Sequence, residues 1–121
     1  MPEAPIVVLV VEDEPLIRMS VVADLEDANF VVYEASDAKE AISILEARRD
    51  ISLVFTDVDM PGTMDGILLA AYVRDRWPPI RIIITSGQRN LGPDDIPTEG
   101  RFIPKPYQRE EVVSMIETLL A

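Results

Sequence analysis

The chain has 121 residues, 48% of them hydrophobic and 27% charged, which suits one domain with a single buried core. Twenty-two acidic residues against eleven basic ones give a net charge of −11, which disfavours direct binding to nucleic acid. The absence of cysteine, of an apolar run of membrane-spanning length and of a basic leader in residues 1–5 favours a cytoplasmic protein. The absence of histidine excludes histidine-based triads and histidine metal sites.

Short β-branched runs alternate with longer segments of helical spacing, a pattern typical of a parallel sheet with helices on both faces. In chain order, the pattern predicts strands at 6–11, 30–33, 53–56, 80–85 and 101–103. Helices with a clear apolar stripe are predicted at 15–28, 37–47, 65–77 and 108–120. In the first of these helices, the spacing predicts an inward stripe of Ile17, Val21, Leu25 and Ala28.

The segment between Ser86 and Phe102 interrupts this alternation. Its prolines and glycines leave room for about one helical turn, at 93–96. The fourth of five helices is therefore expected to be short or irregular, with fast amide exchange over 90–100.

Polar residues follow four of the apolar strands. They are Glu12 and Asp13 after the first strand, Asp57 after the third, Ser86 and Gly87 after the fourth, and Lys105 after the fifth. The carboxyl ends of parallel strands share one rim, where ligands bind, so these side chains are expected to meet there. Acids, a hydroxyl and a lysine in one place suit metal-dependent phosphoryl transfer to a carboxylate.

Each of these residues also has a structural interpretation. Acids just before Pro15 favour a helix N-terminus, although Asp13 could instead bind Mg²⁺ directly with Glu12 holding one of its waters. Asp57 could be a turn residue or a nucleophile for a phosphoryl group. Ser86 with the glycine after it could form a turn or bind phosphoryl oxygens, and Lys105 could be a solvated surface lysine.

Taken together, the motifs closely resemble the receiver domain of two-component response regulators over nearly the whole chain. The resemblance implies a flavodoxin-like α/β fold, a three-layer sandwich whose five-stranded parallel sheet has the order 2-1-3-4-5. The segments that carry it are Leu9-Val10-Val11-Glu12-Asp13-Glu14, Asp57-Val58-Asp59-Met60-Pro61, Met64-Asp65-Gly66, Thr85-Ser86-Gly87 and Phe102-Ile103-Pro104-Lys105-Pro106-Tyr107.

The resemblance also implies a role for each residue at the rim. Asp57 becomes the phosphoacceptor, and it holds Mg²⁺ or Mn²⁺ together with Glu12, Asp13 and the backbone carbonyl of Asp59. Ser86 then binds the phosphoryl oxygens.

Three further residues take roles through the resemblance. Lys105 also binds the phosphoryl oxygens, and the Lys105–Pro106 peptide bond is expected to be cis. Phe102 occupies the position of the switch aromatic, with a plain core aromatic as the alternative.

In function, the resemblance implies a phosphorelay switch that takes a phosphoryl group from a histidine kinase or histidine phosphotransfer protein. A downstream protein target, a monomer or weak dimer, and no catalysis beyond self-phosphorylation and self-dephosphorylation are expected. One domain over residues 1–121, without an output domain, would serve as a stand-alone regulator or as part of a hybrid kinase. The loop at Gly62 and Thr63 has one residue more than many family members, so its shape over the site is expected to differ.

Two alternatives belong to other functional classes. Asp57-Val58-Asp59 after an apolar strand also resembles the start of haloacid-dehalogenase-type phosphatases, although these generally need a longer chain. A module that signals without phosphate would keep the fold but would have no reason to retain the full set of polar residues.

Overall fold

A single parallel sheet forms the centre of the computed structural model, which describes residues 5–60, 62, 64–87 and 100–121. Its strands are β1 (Val7–Val11), β2 (Val31–Ala35), β3 (Leu53–Asp57), β4 (Arg81–Ser86) and β5 (Gly100–Pro104). The described helices are α1 (Pro15–Asp27), α2 (Ala38–Ala47), α3 (Gly66–Arg76) and α4 (Arg109–Leu119). None of them combines the length and the apolar character that spanning a membrane requires.

The strand order is β2-β1-β3-β4-β5, and every neighbouring pair is parallel. The expected flavodoxin-like fold class is therefore confirmed. β1 and β3 are fully buried, as expected of strands that are covered on both faces.

Alternate residues along each strand point to opposite faces of the sheet, so the core has two halves. One half lies beneath α2 and α3 and includes Leu9, Val54 and Ile84. The other lies beneath α1 and α4 and includes Phe55 and Ile83. This three-layer packing fixes the strand ends at which the polar residues stand.

Two helix starts follow capping chemistry. The Asp37 carboxylate accepts from the Glu40 backbone N–H over 2.8 Å at α2, and Asp65 accepts from Leu68 N–H over 2.9 Å at α3. These side chains satisfy backbone donors that have no partner within the helix. Asp37 was expected as a cap, whereas Asp65 was expected inside the helix and lies just before it.

The predicted stripe of α1 is only partly correct. Val21 and Leu25 are buried, but Ile17 is 37% exposed and Ala28 is half-buried. Ile17 lies in the first turn of α1, where it lines a groove together with Lys105 and Tyr107. The predicted helical turn at 93–96 lies outside the described ranges, and so does the predicted fast amide exchange except at residue 100.

Candidate functional site

The polar residues at the strand ends converge on one rim of the sheet, as expected. Glu12 directly follows β1, and Lys105 directly follows β5. Asp57 and Ser86 are the final residues of β3 and β4, one position further into the strands than predicted. Asp57 in β3 lies opposite Thr85 in β4, and Ser86 is the next residue of β4.

Three carboxylates cluster at this rim. One oxygen from each of Glu12, Asp13 and Asp57 lies within 4.8 Å of the others. Glu12 is 2% exposed and Asp57 is 4% exposed, while Asp13 is half-buried. Three acids held this close in a largely buried place repel one another unless a cation offsets their charge.

Lys105 supplies one such cation from the protein itself. Its Nζ lies 3.1 Å from Glu12 Oε1 and 3.4 Å from Asp57 Oδ2. Burial is the largest influence on all three groups, and it raises the pKa of Glu12 and of Asp57. Burial also acts to lower the pKa of Lys105, but its hydrogen bond to Glu12 and the charge of Asp57 outweigh this, so the lysine pKa is raised.

The donor set at the rim fits a hard divalent cation. Lys105 contacts Oδ2 of Asp57, whereas Oδ1 is buried and has no hydrogen-bond partner among the described residues. A buried carboxylate oxygen without a partner is costly, and a coordinated cation would satisfy it. Mg²⁺ and Mn²⁺ both favour such oxygen ligands. The three carboxylates are therefore suitable ligands for the expected metal.

Ser86 is 2% exposed, and its side chain is already engaged. Its Oγ donates to Oδ2 of Asp59 over 3.1 Å. Asp59 was predicted as a ligand through its backbone carbonyl, so this contact of its side chain was not foreseen. The backbone of Asp59 acts to lower the pKa of Asp57, against the larger effect of burial.

The peptide of Asp57 is held by a close approach of α3. A Cβ added at Gly66 would overlap the Asp57 carbonyl oxygen and would lie 2.7 Å from its carbon and 2.8 Å from Val58 Cα. The Gly66 N–H also donates to the Val58 carbonyl over 2.9 Å. Only glycine permits this packing, which fixes the backbone beneath the aspartate.

The loop after β5, which carries Lys105, packs against β3. The Lys105–Pro106 bond is cis, as the resemblance implied, and Pro78–Pro79 is a second cis bond. The Tyr107 ring packs edge-on against Phe55, with centroids 5.6 Å apart. Phe55 lies two residues before Asp57 in β3, so the loop that carries the lysine contacts the strand that carries the aspartate.

Phe102 lies in β5 opposite Ile84 of β4. Its side chain is half-buried and packs against the half of the core beneath α2 and α3. This position is compatible with a core aromatic and with a switch aromatic, so both interpretations of Phe102 stay open.

Arg18 is a site residue that the sequence motifs did not reveal. Its Nη1 donates to the backbone carbonyl of Glu12 over 2.8 Å, and its Nε contacts Glu34 Oε1 over 3.0 Å. Its position on α1, five residues after Asp13, is the only signal in the sequence that it could reach this turn.

Exposed apolar side chains flank the rim on α1. Leu16 is 79% exposed and Met19 is 62% exposed. A groove of about 620 Å³ is lined by Leu16 and other α1 residues together with Lys105, Pro106 and Tyr107. An apolar surface of this kind next to a polar site suits contact with another protein.

Comparison with known proteins agrees with this geometry. The family model described as "Response regulator receiver domain" matches residues 8–117. The response regulator receiver protein CpdR of Brucella abortus is 32% identical over 116 residues, covering 93% of this chain and 95% of CpdR. The sensor kinase CckA of the same organism is 34% identical over 120 residues, covering 93% of this chain but only 12% of CckA.

A solved structure of a response regulator receiver protein from Sinorhizobium medicae matches with a TM-score of 0.89 at 25% identity, covering 96% of this chain and 94% of that one. Several relatives are much longer, and the chain spans less than half the length of those such as CckA. The match of the family model to most of the chain, together with the strand order, shows that the chain belongs to the response regulator receiver domain family of two-component signalling.

Proposed function

We propose that this chain is a phosphorelay switch that accepts a phosphoryl group on Asp57 from a phosphohistidine of a partner protein. The observation that carries the proposal is the set of neighbours around Asp57 at the end of β3. Lys105 Nζ lies 3.4 Å from Oδ2, and one oxygen each of Glu12 and Asp13 lies within 4.8 Å. A strand-end carboxylate among cation ligands and beside a lysine is suited to attack phosphorus.

In the proposed transfer, a carboxylate oxygen of Asp57 forms a bond to phosphorus as the phosphorus–nitrogen bond to the partner's imidazole breaks. The electron pair of that bond stays on the imidazole nitrogen, and the ring leaves as neutral imidazole because its other nitrogen already carries a proton. Lys105 offsets negative charge on the transferring oxygens. Hydrolysis of the aspartyl phosphate by water restores the carboxylate and resets the switch.

Glu12, Asp13, Asp57 and the backbone carbonyl of Asp59 would hold Mg²⁺ or Mn²⁺. The bound cation would neutralise charge on the carboxylates and on the phosphoryl oxygens, which otherwise repel each other. The assignment is supported by Oδ1 of Asp57, which has no hydrogen-bond partner in the described part of the chain.

The donor histidine must lie outside residues 1–121, because these contain none. We propose that a histidine kinase or histidine phosphotransfer protein covers the apolar surface of α1 at Leu16 and Met19, beside the groove at Lys105. Leu16→Ser should then slow transfer from a kinase that phosphorylates the wild type, and it should leave phosphorylation by acetyl phosphate unchanged.

The response to phosphorylation would start at Ser86. A phosphoryl group on Asp57 adds acceptor oxygens, and the serine hydroxyl would exchange Asp59 for one of them. Movement at the end of β4 would then reach Phe102 on β5 and change the surface that a downstream protein recognises. Amide spectra recorded with and without phosphodonor would show shifts at both positions, and unchanged spectra would contradict the switch.

The experiment that tests the acceptor is intact-protein mass spectrometry after incubation with acetyl phosphate. Wild type and Asp57→Asn are compared with Mg²⁺ and with EDTA. We expect one phosphoryl gain in wild type with Mg²⁺ and none in the other three samples. Continuous release of phosphate from an ester substrate would instead favour the phosphatase, and no gain in any sample would favour a module that signals without phosphate.

A further inference from the structure

We propose that Arg18 is a positioning residue for the cation site, and that it fixes the backbone turn that presents Glu12 and Asp13. This inference rests on the proposed function, because it concerns binding of the divalent cation. Arg18 itself lies outside the carboxylate cluster and supplies no ligand. Its effect would pass through the peptide group that joins the two acids.

The guanidinium connects two elements. Nη1 donates to the Glu12 carbonyl over 2.8 Å, and Nε contacts Glu34 Oε1 in β2 over 3.0 Å. The backbone N–H of Glu12 donates to Ala35, the last residue of the same strand, over 3.0 Å. The turn after β1 is therefore tied to β2 by one backbone bond and by the arginine.

Every oxygen of Glu12 is engaged through this arrangement. Its Oε1 contacts Lys105, its Oε2 accepts from the Glu14 backbone N–H over 3.1 Å, and its carbonyl accepts from Arg18. The peptide group is planar, so holding the Glu12 carbonyl also fixes the orientation of the bond that leads into Asp13. The peptide bond that precedes the half-buried Asp13 is therefore held in one orientation.

Because Arg18 is charged, the direction in which its removal changes cation affinity tests the proposal. A positive side chain near a divalent cation weakens binding through Coulomb repulsion, although the contact with Glu34 offsets part of that charge. If Arg18 acted only as a charge, its removal would tighten cation binding. If it positions the turn, its removal frees the Glu12–Asp13 peptide and weakens binding.

The test is isothermal titration calorimetry of Mg²⁺ with the full chain, wild type against Arg18→Gln. We expect the dissociation constant to rise about tenfold, as for other residues that orient metal ligands. Arg109→Gln is the matched control, because it removes the same charge from a contact with Asp27 at the far end of α1. The control should bind Mg²⁺ as wild type does or slightly more tightly.

Arg18→Lys keeps the charge and can reach one of the two acceptors, so it should recover part of the lost affinity. A spectroscopic readout that does not depend on metal is the amide signal of Asp13, which should shift in metal-free Arg18→Gln and stay in place in Arg109→Gln. Thermal unfolding in EDTA verifies that each variant is folded.

Three outcomes would overturn the proposal. The first is Arg18→Gln binding Mg²⁺ as tightly as wild type or more tightly. The second is an equal loss in Arg109→Gln, and the third is no recovery in Arg18→Lys. Wild type that binds no Mg²⁺ would overturn the cation site of the proposed function as well, which separates that failure from a failure of the arginine alone.

Discussion

Ser86 Oγ and Asp59 Oδ2 are joined by a hydrogen bond of 3.1 Å across 27 residues of sequence. The bond links the last residue of β4 to the loop after β3. In this state the hydroxyl proposed to bind a phosphoryl oxygen is held by a carboxylate. The two acceptors would therefore compete for one donor, and the carboxylate would also repel the incoming phosphoryl charge.

Asp59→Ala removes this competitor and keeps the backbone carbonyl at that position. We expect it to phosphorylate about fivefold faster with acetyl phosphate, since a hydrogen bond of this type contributes about 1 kcal/mol. The measurement is the phosphorylated fraction by mass spectrometry against time. Asp75→Ala, which removes an exposed acid on α3 paired with Arg74, is the charge-matched control. Equal rates in the two variants would show that only net charge matters.

Lys105→Met should lower stability in EDTA at pH 7 by about 2 kcal/mol, because it leaves two buried carboxylates without their cation. It should also tighten Mg²⁺ binding, since a positive charge beside the cation is lost. Urea unfolding and calorimetry measure the two effects. Lys39→Met, at an exposed position on α2, is the control and should change neither stability nor Mg²⁺ binding. Weaker Mg²⁺ binding in Lys105→Met would contradict the proposed arrangement.

Stability should depend on pH through Asp57. Burial raises its pKa, so the folded chain holds this proton more strongly than the unfolded chain does. Stability from this group is then complete below the ordinary aspartate pKa and is lost as pH rises through the raised value. In EDTA at pH 7, Asp57→Asn should melt a few degrees above wild type, a gain of about 1 kcal/mol. The difference should vanish below pH 4, about the ordinary aspartate pKa, and an equal gain at every pH would refute this origin.

Mg²⁺ should make wild type more stable than Asp57→Asn, the reverse of the order expected in EDTA. A ligand at 100 times its dissociation constant stabilises the folded state by about 2.7 kcal/mol. Wild type should gain this stability on addition of Mg²⁺, while Asp57→Asn, which loses one proposed ligand, should gain less. Melting curves with increasing Mg²⁺ measure the difference. Parallel increases in both proteins would place the cation elsewhere.

Gly66→Ala should cost about 3 kcal/mol, a value typical of overpacking against rigid backbone. The new Cβ would lie against the Asp57 carbonyl and Val58 Cα, so either α3 or the end of β3 must shift. Gly87→Ala is the matched control. Among the described residues, its Cβ would meet only the Lys105 side chain, at 3.5 and 3.7 Å, which is ordinary contact. We expect lost phosphorylation in the first variant and near wild-type stability in the second, as measured by urea unfolding and mass spectrometry.

The sequence predicted the sheet and its rim because both depend on local patterns. Apolar runs that end in Glu12, Asp57 or Lys105 are visible in the sequence, and parallel topology brings their ends together. Buried strands tolerate few polar residues, so each polar residue at a strand end is a strong signal.

Contacts between distant side chains could not be predicted in the same way. The bond from Ser86 to Asp59 and the contacts of Arg18 depend on rotamers and loop geometry, which no short pattern specifies. The exposure of Ile17 had a similar cause. Helical spacing identifies an apolar face, but it does not show which residues of that face the rest of the fold covers.

The position of Trp77 determines what intrinsic fluorescence can report. It is the only tryptophan in the chain, and it stands just after α3, about 16 Å along the helix from the end that touches Asp57. Its ring lies near Tyr72 and the Arg76 guanidinium. Cation binding should therefore leave its emission unchanged. A change on phosphorylation would mean that α3 moves along its whole length, and a tryptophan introduced at Phe102 would report events at the rim itself.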